Sequence, residues 1–212
     1  MKTVYRSAFE HGKNLSHYLI NILLTLPSVQ KYEKMRDKQN MKGIIKFVES
    51  RFRERYITPM DVCKDKKSGF TMMAVSCLMI ETLYSFYHGL SNTKGQNGGE
   101  MFCCFFKKNE EDFGCFIGIG REFYENVRCG ILHQAETTGG WKIRRDKKSI
   151  FENTTKTIDA NHFLEATENA LMSYCEDLKN SEWDNDIWKN LIKKLDSICD
   201  NCKHESKSPN IS

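Results

Sequence analysis

The stretch SGFTMMAVSCLMIETLYSFYHG, residues 68–89, decides the fold class. From Phe70 to Ile80 it runs eleven residues without a charge and then meets one carboxylate, Glu81. Apolar side chains fall on most sides of a helical projection, the pattern of a helix covered by neighbours all round. Ser68 stands where an N-cap belongs, and Gly89 where a left-handed residue ends a helix. The uncharged run is too short for a membrane span, which needs about twenty apolar residues. A lone carboxylate in such a helix is costly unless a cation meets it. Glu81 should therefore meet a cation, with Arg128 the natural candidate; the alternatives are a different partner, such as Arg121, or a dip into solvent.

The neighbouring segments supply the rest of a bundle. Residues 14–26 read as an amphipathic helix that ends near Pro27. A second helical pattern runs from 28 to 56, with Met41, Ile44, Ile45, Phe47, Val48 and Phe52 forming its apolar stripe. Pro59 and the run from Lys64 to Lys67 mark a loop, and the glycine-rich segment 91–100 marks a flexible connection. Met101–Phe106 is a short apolar piece, followed by an acidic turn at 109–112. A glycine-rich helix then extends from about Asp112 to Glu136 in one or two segments. Trp141–Arg144 and Thr155–Ile158 alternate and predict a small β-hairpin. Asp159 caps a helix through Leu178, and Ser181–Cys199 forms the last, with Ile187, Trp188, Leu191, Ile192, Leu195 and Ile198 on one face. The expectation is an all-α bundle with a small β-hairpin insertion, one domain over 1–205 and a disordered tail at 206–212.

Composition narrows the class. Hydrophobic residues at 40% and charged residues at 28% are those of a soluble globular protein. The net charge of +4 permits contact with nucleic acid without demanding it. Nine cysteines, an odd number without regular spacing, fit a reducing cytoplasm better than a disulfide framework. Tyr18–Leu26 has the length of a signal core, but Glu10 precedes it and no small-residue cleavage site follows. Cys199, Cys202 and His204 have a spacing that metals use, yet only three ligands are local, so no metal is assigned. Gly118-Ile-Gly120 lacks the Lys-Ser/Thr of a phosphate-cradling loop. Cys103 and Cys104 read as small hydrophobes.

The chemistry lies in FYENVRCGILHQAETTGGW, residues 123–141. Arg128 and His133 stand five residues apart with Gly130 between them. Arginine holds a phosphoryl group without losing its charge, and histidine moves protons near neutral pH. Five residues turn an ideal helix by about 140° beyond a full turn, so the two side chains flank a groove rather than stack. A second copy of the helix across a two-fold axis would complete such a site, with Gly130 allowing close approach.

With the apolar helix upstream, this motif resembles the HEPN superfamily, whose signature is an Arg, four to six residues and a His late in a small helical domain. The likeness covers roughly residues 68–140. One departure is Cys129, where many HEPN nucleases place a polar residue after the Arg; a thiol is a weak donor. The resemblance implies a dimeric, metal-independent endoribonuclease of a prokaryotic defence or toxin–antitoxin system, needing no cofactor. The partners it implies are RNA, a second copy and an antitoxin or other defence protein. His133 would move the proton of the 2′-hydroxyl attack and Arg128 would stabilise the phosphorane, with Glu81, Cys129 and Gln134 in support. A catalytically inactive HEPN-fold module that binds RNA, nucleotide or protein is the alternative. Trp141, Lys142, Arg144, Arg145, Lys147 and Lys148 follow the motif as a basic run beside an aromatic ring, a pattern suited to an RNA backbone.

Overall fold

The computed structural model describes residues 28–61 and 67–205, without the side chains of His204 and Glu205. The expected helix at 14–26, most of the loop at 64–67 and the tail from 206 lie outside the described residues. Helices hold 73% and strands 5% of the structure, so the fold is mostly α with a small sheet. Helix α1 covers 28–37, and a turn with Gln39 at φ 49° leads to α2, Met41–Phe52. Asn40 caps α2 by accepting the Gly43 N–H at 2.9 Å. The single helical pattern expected over 28–56 is thus broken at 38–40, and its second half does not end near Tyr56 ahead of a loop at Pro59. It runs on through a π turn, Arg53–Ile57, into α3, Thr58–Asp61. Proline's missing N–H is tolerated at the start of a fresh helical register, which the π turn provides.

Helix α4, Gly69–Tyr87, is the centre of the bundle, packed mainly on the helix at Ala160–Lys179 and also on those at Gly98–Lys108 and Asp186–Glu205. Ser68 sits at its N-cap position. Its far end closes as the sequence predicts. The Leu90 N–H reaches the Ser85 carbonyl at 2.9 Å and the Gly89 N–H the Phe86 carbonyl at 3.4 Å, with Gly89 at φ 59°. These are the paired bonds of a Schellman closure. Counted past Glu81, α4 is by length and composition the one helix among the described residues that could cross a bilayer, although its uncharged run alone is too short, and half of its apolar window is buried inside the fold.

Asn97 caps α5, Gly98–Lys108, so the expected flexible connection gives way to helix three residues early. The acidic turn is a short helix, α6, Glu110–Phe113, continued by a 3₁₀ turn at Gly114–Phe116. After a turn with Gly118 at φ 86°, one helical run follows: α7 (Gly120–Phe123), a π turn (Tyr124–Arg128) and α8 (Cys129–Gln134). Cys103 is half-buried but Cys104 is exposed, contrary to the expectation that both pack inside.

The expected hairpin is absent. Strand β1 (Lys142–Arg144) pairs in parallel with β3 (Thr157–Asp159), and β2 (Phe151–Glu152) pairs antiparallel on the other side of β3. Alternation at period two is the same in either direction, so the pattern fixed the strands and not their pairing. Phe151 stacks on Trp141 at 5.2 Å and is followed by a 3₁₀ turn, Asn153–Thr155. Lys156, at φ 50°, then sends β3 between the other two strands. In this direction Asp159 ends the sheet and starts α9, Ala160–Lys179, by accepting the N–H groups of Asn161 and His162 at 3.0 and 3.1 Å.

α10, Asp186–Glu205, folds back on α4 and α9. The buried Trp188 indole donates to the Leu178 carbonyl at 3.0 Å, satisfying a backbone group at the end of α9. One core runs from Val29 to Cys199. Its densest part is aromatic: Phe106, Phe113, Phe116, Phe123 and Phe163 meet with ring centroids 5.1–5.5 Å apart in most pairs. Phe123→Ala should lower unfolding free energy by about 3–5 kcal/mol, as large core truncations do, while Leu132→Ala at the surface should change it by less than about 0.5 kcal/mol. Urea denaturation of both variants checks this; equal effects would show that the aromatic cluster is not the core.

Candidate functional site

Arg128 ends the π turn and faces α4. Its Nε donates to Glu81 Oε1 at 2.5 Å and its Nη2 to Oε2 at 3.2 Å, a two-pronged pair. The side chains are only 17% and 12% exposed, so the pair sits in a region of weak solvent screening. Burial works to lower the Arg128 pKa, but the Glu81 hydrogen bond and charge outweigh it and the net direction is upward. The other terminal nitrogen makes no hydrogen bond with a described residue. The alternative partner, Arg121, is engaged by Glu100.

Two residues complete this cluster that the sequence reading did not single out. The Tyr124 ring lies under the Arg128 guanidinium, 5.5 Å from carbon to ring centre, within cation–π range. Its phenol is pushed up chiefly by burial, then by a hydrogen bond with Cys129, the residue that follows the Arg. Cys77, one turn before Glu81 on α4, is fully buried, and its thiol is raised by that burial and by the Glu81 charge. Tyr124 was legible in principle, since four residues separate it from Arg128 and such neighbours share a helical face. The ring rests directly on the backbone of Gly98, where an added Cβ would lie 2.1 Å from a ring carbon.

His133 and Gln134 are not part of this cluster. Both are exposed on α8 and make no hydrogen bond, ion pair or ring contact with a described residue. Arg128 faces inward and His133 outward, as a five-residue spacing dictates. Beyond Gln134 the chain turns at Ala135, φ 57°, and returns over α8. Thr138 donates its N–H to the Asn126 carbonyl at 2.9 Å and its hydroxyl to Asn126 Oδ1 at 2.8 Å. This overturns the expected use of Gly130. A Cβ there would meet the Glu136 carbonyl oxygen at 2.5 Å, so the backbone that approaches Gly130 is the chain's own returning loop.

The basic run is also placed differently from expectation. Trp141 is 4% exposed and its indole donates to Glu122 at 3.2 Å, so it is a core residue and no platform for a base. Arg144 forks onto Asp146 at 3.0 and 2.7 Å, Lys147 meets Glu152 at 3.2 Å, and Arg145 donates to Asn161 at 3.1 Å. Lys142 and Lys148 are exposed and unpaired among the described residues. No three metal-ligating side chains come together among the described residues. Cys199 is buried, with its thiol pushed up to about 11 by that burial, and the His204 side chain lies outside the described residues.

Comparison of the chain with protein-family models, with curated proteins and with solved structures found no match. The arrangement can hold an anionic oxygen at a fixed guanidinium and offer a solvent-facing imidazole one helical turn further on. Gly130→Ala should destabilise the fold by about 1–3 kcal/mol, the range for forcing a group into packed backbone. Thermal or urea unfolding measures it, and a variant as stable as the parent would mean the returning loop does not lie on α8.

Proposed function

We propose that this chain is a metal-independent endoribonuclease of HEPN type, acting in the cytoplasm as a prokaryotic toxin or defence effector. The observation that carries the reading is the Glu81–Arg128 fork. It fixes one edge of the guanidinium and leaves a terminal nitrogen uncommitted, the arrangement a phosphate clamp requires. The RNA 2′-oxygen attacks the adjacent phosphorus while the bond to the 5′-oxygen breaks. His133 takes the proton of the 2′-hydroxyl while water protonates the leaving 5′-oxygen, or water takes the first proton and His133 delivers the second. The products are a 2′,3′-cyclic phosphate and a 5′-hydroxyl. Because the inward Arg128 and outward His133 do not meet within one chain, two copies complete the site, and an antitoxin or other partner would cover it.

A second reading has its own support. With Trp141 in the core and three of the basic run's cations already engaged, the surface after the motif offers few free contacts to RNA. A catalytically inactive HEPN-fold module held by a partner protein fits that surface.

Purified protein incubated with total RNA in EDTA separates the two. Cleavage should persist under chelation, Arg128→Ala should lower it by about 10²–10³-fold, as the loss of a transition-state charge donor does, and Arg128→Lys should restore part of it. Full activity in His133→Ala, or strict dependence on Mg²⁺, would contradict the mechanism. Sedimentation at micromolar concentration should give a dimer; a monomer that stays so with RNA present would contradict the two-copy site.

A further inference from the structure

The basic run after Trp141 is not where the charge surplus of the molecule lies. Residues 28–55, which form α1, α2 and part of the π turn, hold nine lysines and arginines against four carboxylates. That surplus of five exceeds the +4 of the whole chain, so everything else is close to neutral. Lys31, Lys34 and Lys38 follow one face of α1 into the turn after it at spacings of three and four, and Lys42 and Lys46 stand four apart on α2.

All five lysines are exposed, and none pairs with a described carboxylate. Three of the four carboxylates in the segment are committed to other cations: Glu33 to Lys203 at 2.7 Å, Asp37 to Arg36 at 3.0 Å and Glu49 to Arg53 at 3.0 Å. Only Glu54 stays unpaired among the described residues. Lys31, Lys34 and Lys38 line an open groove of about 430 Å³ together with Gln30, Met35 and Asn40.

We propose that this lysine ladder is a docking surface for the phosphate backbone of RNA, separate from the residues that would cleave it. Lysine ammonium groups are strongly hydrated point charges on flexible stems, suited to neutralising phosphates without reading sequence. Tyr32, the one aromatic ring of α1, is fully buried and donates to Asp196, so α1 offers no ring for base stacking. An anionic membrane fits less well. Interfacial helices set large apolar side chains beside their lysines, whereas the exposed large apolar residues among the described residues are Phe70, Leu78, Ile117, Leu132 and Met172, none of them on α1 or α2.

The choice of RNA rests on the proposed ribonuclease reading, but its test does not use cleavage. In a His133→Ala background, binding of a fluorescein-labelled single-stranded RNA is followed by anisotropy across roughly 50–200 mM KCl. Changing Lys31, Lys34 and Lys38 together to Gln should weaken binding about tenfold or more and flatten the slope of log K against log salt by about 2, at about 0.7 per phosphate contact. Changing Lys94, Lys107 and Lys193 to Gln, three exposed lysines elsewhere, should leave both within about twofold. Equal loss in the two triples, no loss in the first, no RNA binding by the parent, or binding to phosphatidylserine vesicles in place of RNA would each overturn the proposal. Ladder-dependent RNA binding without cleavage by the unsubstituted protein would remove the nuclease reading and keep this one.

Discussion

A carboxylate and a guanidinium that hold each other inside an apolar bundle set the constraint on which this structure turns. Glu81 is the single charge in the buried length of α4, and either member of the pair left alone there would carry a large desolvation cost. Together they fix where the π turn meets α4. From that point Tyr124 is placed under the guanidinium, Cys129 against the phenol, and α8 with its outer side, including His133, towards solvent. The pair therefore acts on position as much as on charge.

The surroundings make that position rigid. The aromatic cluster grips α7 just before the π turn through Phe123, which stacks on Phe163 of α9 at 5.3 Å. Below the motif, the loop 136–138 is tied to Asn126 and covers Gly130, so α8 is clamped by its own chain. Trp141 then carries the chain into the sheet, where Asp159 joins strand to helix and also accepts the Lys147 N–H at 2.9 Å. A clamp of this kind sets the guanidinium in advance, the condition that the proposed phosphate site would need.

Much of this was legible in the residues. The apolar run with Gly89 at its end gave α4 and its closure, Asp159 gave the start of α9, and the cost of an isolated carboxylate pointed Glu81 towards Arg128. What escaped reading was decided by contacts distant in sequence. Alternation cannot tell a parallel strand from an antiparallel one, so the sheet order depended on Phe151 finding Trp141. The two π turns leave no compositional mark, and one of them lets Pro59 remain helical. Trp141 beside five cations looks like an RNA platform until packing places it among the phenylalanines. Gly130 signals a close approach of backbone, but not whose backbone. The lysines of α1 and α2 stand in the sequence at helical spacings, but their lack of partners emerged only once the other cations were seen paired.

The most direct measurement on the central claim is a double-mutant cycle in urea unfolding with Glu81→Ala, Arg128→Ala and the double variant. If the pair governs this region, each single change should cost about 3 kcal/mol or more, because it strands the other charge, and the double should fall short of the sum by about 2 kcal/mol. Losses that add within about 0.5 kcal/mol would show the two residues to be independent, and the account of how Arg128 is held would be wrong.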